Sequence, residues 1–168
     1  MRSAPALAAL LLALPAAAST ALVQSVEELA RASDAVVRGV VERQECRRGA
    51  DGHRIYTFVE IRTTAAWKGS PAAVVVVRVP GGTIGDEGQK ALGAAAFSDG
   101  EEVVVFLERA GEVHQVAGDS QGKFAVEGET ARNDTRGFHL LERPLPAEER
   151  RAAEMQVAEL ERRVRSAQ

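Results

Sequence analysis

Apolar and polar positions along the chain change period several times, and each change marks an element. Ser25 followed by Glu28 has the form of a capping box, and Val26, Leu29 and Ala30 make one apolar stripe, which predicts a short helix. Beyond Asp34, residues 35–41 are rich in valine and read as a first strand, with Gly39 inside it marking a bulge or bend. A polar turn at residues 47–52 leads to a second strand over 54–64, where Ile55, Thr57, Val59, Ile61 and Thr63 share one face. Residues 74–79 are the most β-prone run, apolar on both faces until Arg78, which predicts a central strand. A fourth strand is expected over 103–107, and the Ala110-Gly111 turn joins it to a fifth over 113–117 as a tight hairpin. Residues 124–126 extend that sheet, and residues 128–143 read as polar loop.

Between the third and fourth strands lies a long excursion, residues 80–100, with glycines at 81, 82, 85, 88, 93 and 100. Five strands, a long interruption after the third and a closing hairpin follow the order of an OB-like Greek-key barrel. An immunoglobulin-like sandwich needs about seven strands. The expected fold is therefore mainly β, a five- to six-stranded OB-like Greek-key barrel with a short N-terminal helix and an amphipathic C-terminal helix. That last helix is expected over 146–168. Pro146, Glu148 and Glu149 suit its start, Arg162, Arg163 and Arg165 suit its end, and Ala153, Val157, Leu160 and Val164 form a stripe that docks on the barrel.

The N-terminus changes the domain count. Arg2, the apolar residues 6–14, Pro15 and Ala16-Ala17-Ala18 have the layout of a secretory signal peptide cleaved between Ala18 and Ser19. The apolar run is shorter than the roughly 20 residues of a bilayer-spanning helix. The expected organisation is a signal peptide (1–18), an OB-like barrel domain (19–127), a linker loop (128–145) and the helix (146–168). The mature protein is expected in the periplasm or outside the cell, with no transmembrane segment.

Charge and composition narrow the function. A formal charge of -3 and 4% aromatic residues argue against a nucleic-acid partner, which favours a basic groove and stacking platforms. Cys46 is the single cysteine, so no internal disulfide forms. Arg47 and Arg48 would favour its thiolate, but a plain unpaired thiol is the expectation.

Candidate chemistry is thin. Gly118-Asp119-Ser120-Gln121-Gly122 matches the G-x-S-x-G nucleophile elbow, but a strand pattern follows it where the elbow requires a helix. Asp134 and His139, its candidate partners, stand five residues apart in a loop. The order His53, Asp86 or Asp99, Ser120 can also be drawn, and Thr64-Ala65-Ala66-Trp67 places a tryptophan where a catalytic base would stand. His53, His114 and His139 are scattered, and Asp86, Glu87, Asp99, Glu101 and Glu102 lack EF-hand spacing, so they read as solvated loop charges. The glycine-rich segment 80–85 matches no phosphate-binding motif. No catalytic residue, metal site or cofactor is expected. The long loop is the expected interaction surface, with Thr83, Asp86, Gln121 and Lys123 as binding residues. The partner is expected to be a protein or a cell-envelope component. The alternatives are a protease inhibitor of OB type and a small serine hydrolase using Ser120.

A resemblance adds to this reading. Residues 33–41, Tyr56-Thr57, Val59-Glu60-Ile61, Trp67-Lys68-Gly69, residues 77–82 and 100–107, Gly118 and Gln121-Gly122-Lys123-Phe124 resemble a loosely defined group of small exported proteins of myxobacteria and similar bacteria. The resemblance covers roughly residues 25–126. It implies an exported β-barrel domain and no known catalytic residues, and the C-terminal helix lies outside it. The chain is more distantly similar to the netrin-like OB module of tissue metalloprotease inhibitors. Those inhibitors reach the protease zinc with a disulfide-held N-terminal cysteine, and a chain starting at Ser19 with one cysteine departs from that pattern.

Overall fold

The computed structural model describes residues 20–133, 135, 139–141 and 154–168. The expected signal peptide and its Ala18–Ser19 junction, Asp134, and the helix start at Pro146, Glu148 and Glu149 lie outside the described residues.

The fold is mainly β. After β1 (Thr20–Leu22) comes α1 (Val26–Ala32), held at its start by the expected capping box. Ser25 Oγ accepts from the Glu28 amide at 3.1 Å, and the Ser25 amide donates to the Glu28 carboxylate at 2.9 Å. At its end the Ser33 hydroxyl donates to the Leu29 carbonyl at 2.6 Å, and the chain turns into β2 (Ala35–Arg48). Next come β3 (Ile55–Lys68) and β4 (Val74–Pro80). The long excursion carries a hairpin of its own, β5 (Gly82–Ile84) and β6 (Glu87–Gln89), before β7 (Glu102–Ala110) and β8 (Val113–Val116).

Five of these strands close into a ring in the order β2-β3-β4-β8-β7. Counted along the ring strands this is 1-2-3-5-4, with the third and fifth parallel, which is the OB arrangement. Every other ring pairing is antiparallel. The β4–β8 closure is slight, a single register pair of Val77 opposite His114. Gly39 sits at a register shift between β2 and β3, where an added Cβ would lie 2.5 Å from the Arg62 carbonyl oxygen. The bend expected there is one that only glycine permits.

The core has two compartments because the ring wall is buried on both sides where helices cover it. Val37, Val59, Ile61, Val77, Val105 and Leu107 fill the ring interior. Val36, Trp67, Val104 and Phe106 face outward under α1 and the C-terminal helix. Alternate residues of β7 thus serve different cores, and both sets are apolar. β4 lies between β3 and β8, as expected of a central strand, but its faces are not equally buried. Val75, Val77 and Val79 are buried, but Val74 is 41% exposed, because β4 borders the weak seam.

One edge of β7 is shared. Leu107–Ala110 pair with β8, and residues 103–105 pair with β9 (Lys123–Glu127). Between them the chain leaves the edge as a 3-10 turn, Asp119–Gly122. Three further strands follow: β10 (Thr130–Asn133), β11 (His139–Leu141) and β12 (Glu154–Gln156). β10 and β12 widen the sheet beyond β9, while β11 pairs in parallel with β1. Two expectations are corrected here. Residues 130–133 and 139–141 are strand and not loop: Ala131 and Asn133 turn inward, and residues 139–141 find a partner in β1. The described helix, α2, spans only Val157–Ser166, and residues 154–156 before it pair with β10.

The α2 stripe is buried as expected through Val157, Leu160 and Val164, while Ala153 lies outside the described residues. The Arg163 guanidinium adds two hydrogen bonds of 2.6 Å to the Glu27 carboxylate on α1. Burial pushes the Glu27 carboxyl up, but the Arg163 hydrogen bonds and charge outweigh it and hold the group below the ordinary glutamate range. Gln168 Nε2 donates to the Trp67 carbonyl at 2.7 Å, tying the chain end to β3.

Candidate functional site

Beside the seam lies a cleft of about 400 Å³, a size that suits a small ligand. Its walls come from three parts of the ring: Tyr56 of β3, Arg78 and Pro80 of β4, and Glu108 and Gln115 of the β7–β8 hairpin. The extruded turn adds Asp119. β-sheet register explains the first wall. Tyr56 opposes Pro80 and Phe58 opposes Arg78, so Arg78 lies diagonal to Tyr56 and its guanidinium sits 5.1 Å from the ring centre. One step along, Arg47 lies 5.2 Å over Phe58. That guanidinium is also held by Glu45, with hydrogen bonds of 2.8 and 2.7 Å. Arg78 makes no ion pair among the described residues.

The same cleft carries two acidic residues. Glu108 accepts from Gln115 Nε2 at 3.2 Å across the hairpin. Asp119 reaches the cleft because the chain leaves the β7 edge in a left-handed pair, Gly118 at φ 63 and Asp119 at φ 56. Asp119 is the sole non-glycine with positive φ among the described residues. Aspartate tolerates that region at some cost. A side chain at Gly118 would collide with Gln24 and come 2.8 Å from Leu29, so the turn needs glycine there. Burial against the cleft walls, and then the charge of Glu108, push the Asp119 carboxyl above the ordinary aspartate range. Among the described residues no hydrogen bond or ion pair offsets either effect.

The turn is fixed from beneath. Asn133 Nδ2 lies within hydrogen-bond distance of the carbonyls of Ser120, Gln121 and Lys123, at 3.0, 2.8 and 2.8 Å. The Gln121 side chain accepts from the Gln24 amide at 2.9 Å and donates to the Leu22 carbonyl at 3.1 Å. Lys123 pairs with Glu101 and lies 5.5 Å over the Phe97 ring. The cleft rim therefore rests on a buried polar network.

The four expected binding residues do not share one surface. Thr83 and Asp86 are exposed on the β5–β6 hairpin, whereas Gln121 and Lys123 are 3% and 8% exposed and hold the turn. A second cleft of about 260 Å³ lies next to the first, shares Tyr56 and Pro80 with it, and reaches Arg54 and Lys90 at the hairpin base. Sequence reading missed Arg78, Glu108 and Asp119. Its available signals were an arginine breaking a valine run and an aspartate between glycine and serine.

Other candidates take structural places. Ser120 is buried, its amide donates to the Gly93 carbonyl at 2.9 Å, and its hydroxyl meets no partner among the described residues. His53 is exposed in the β2–β3 turn, and Trp67 is packed in the outer core. His114 lies at the seam with Nδ1 buried and unpartnered, and nothing is described of the His139 side chain. Glu87, Glu101 and Glu102 engage Arg48, Lys123 and Arg38, and Asp99 accepts from Gln44 at 3.0 Å. Among the described residues no three His, Cys, Asp or Glu side chains converge as a ligand set. Cys46 is half-buried beside Thr57, with Arg47 and Arg48 turned to Glu45 and Glu87. Compared with protein-family models and with curated proteins, the chain matches none.

Proposed function

We propose that the protein is an exported, non-catalytic binding module that engages a protein or cell-envelope component at the cleft between Tyr56, Arg78 and Asp119. The observation that carries the reading is the state of the charges there. Among the described residues, a guanidinium without a carboxylate partner faces the same cleft as a carboxylate without a cation, and the latter stands on left-handed backbone. Both groups are accessible from solvent and gain a partner from a ligand that carries the opposite charges. Ser120 supports a non-catalytic reading, since its side chain is buried and strand β9 follows it where a nucleophile elbow requires a helix. Export rests on the layout of residues 1–18, and N-terminal sequencing of the exported protein should begin at Ser19.

Co-sedimentation of the purified protein with the envelope fraction of the cells that make it tests the site. Wild-type protein should sediment saturably, and an Arg78→Gln, Asp119→Asn double variant should stay in solution. Equal sedimentation of the two removes the cleft from the reading, and no sedimentation of wild type overturns the reading itself.

A further inference from the structure

We propose that the cleft takes a zwitterion bearing a free ammonium and a free carboxylate, as in an α-amino acid or a short peptide, with the carboxylate at Arg78 and the ammonium between Asp119 and Glu108. This rests on the cleft being the binding site. Three features define the class.

The charges are of both signs and stand apart. Arg78 lines the same cleft as Glu108 and Asp119, yet no ion pair joins it to either. A ligand with one charge satisfies one wall and leaves the other facing it. A simple anion meets Arg78 but is repelled by two carboxylates, and a simple cation meets the reverse problem. A zwitterion satisfies both.

The donors also match. A guanidinium presents a planar fork suited to a carboxylate, and stacking on Tyr56 at 5.1 Å leaves its edge available. An ammonium carries three donors, and Asp119 and Glu108, near enough for the charge of one to act on the other, offer acceptor oxygens in the cleft. Burial and the Glu108 charge raise the Asp119 carboxyl, and an ammonium beside it would reverse that shift.

Pro80, Ala95 and Val116 line the cleft beside the charged residues and present small apolar surfaces. They leave space for short side chains. A volume of about 400 Å³ suits one or two residues more than a folded partner surface.

Calorimetric titration of the purified protein with alanine, alanyl-alanine, N-acetyl-alanyl-alanine and alanyl-alanine amide tests this, and separates a free amino acid from a peptide end. Alanyl-alanine or alanine should bind, and blocking either terminus should weaken binding at least about tenfold, the loss of one charge-assisted hydrogen bond. Arg78→Gln should remove the discrimination against the amide. Asp119→Asn should lessen the discrimination against the acetylated peptide, with a melting curve confirming that the variant is folded. Blocked and free peptides binding alike to wild type overturns the assignment. If none of the four binds while sedimentation with envelopes still depends on Arg78, the zwitterion assignment fails and the binding reading stands. If both fail, both are overturned.

Discussion

The Arg78 guanidinium lies 5.1 Å from the centre of the Tyr56 ring, on the wall of a cleft that also holds Asp119. The neighbouring Arg47–Phe58 pair is built the same way at 5.2 Å, but its guanidinium is already held by Glu45. The two pairs give a controlled comparison. Tyr56→Ala should abolish envelope co-sedimentation, Tyr56→Phe should retain it, and Phe58→Ala should leave it unchanged. Each alanine change should cost about 0.5–1 kcal/mol from the lost cation–π contact at a half-exposed site. Denaturant melts alongside the sedimentation assay check both parts.

Asp119 predicts a trade between stability and binding. Its folded carboxyl is raised, so the folded chain holds the proton more tightly than the unfolded chain, and stability falls as pH rises through the raised value. Asp119→Asn keeps a residue that accepts the left-handed region and removes the charge. The variant should melt higher than wild type at neutral pH, and the gain should vanish as pH falls below the ordinary aspartate range. Thermal melts across that range read the sign directly.

Gln121 and Lys123 should behave as structural residues. Gln121→Ala leaves the Gln24 amide and Leu22 carbonyl without their partner and should cost about 1–3 kcal/mol. Lys123→Ala leaves Glu101 with the Ser98 amide but without its cation and should cost about 3 kcal/mol, within the range for breaking a buried pair. Thr83→Ala and Asp86→Ala, exposed on the hairpin, should stay within about 0.5 kcal/mol. Urea unfolding of the four single variants separates the two groups.

The α1–α2 clasp gives an acid-dependent term. Glu27 is held below the ordinary glutamate range, so its contribution is complete above the unfolded value and is lost as pH falls through the lower folded value. Arg163→Ala should cost about 3 kcal/mol at neutral pH, since it leaves a largely buried carboxylate unpaired. Glu27→Gln should flatten the acid limb of the stability curve. Unfolding measured between neutral and acid pH distinguishes the two variants.

Much of the fold was legible because its determinants are local. The capping box at Ser25 and Glu28, the alternation in β3, and the glycine at the β2 bend each act within a few residues. The valine run of β4 marked a strand paired on both edges, but apolar sequence alone does not show that Val74 at its start stays exposed. β10 escaped notice because it is short and is held by distant partners, Asn133 reaching back to the carbonyls of Ser120, Gln121 and Lys123. The site was hidden for a similar reason. Arg78, Glu108 and Asp119 come from separate segments, and closure of the ring brings them together. Gln121 and Lys123 drew attention as polar residues in a loop, and their side chains turn inward.

Hydrogen-exchange footprinting of the protein bound to its envelope fraction tests the central claim most directly. The account predicts new protection at the end of β4, around Arg78 to Pro80, and in the turn from Ala117 to Ser120, with the β5–β6 hairpin unchanged or weakly affected. Protection confined to the hairpin, or none at either wall of the cleft, would contradict it.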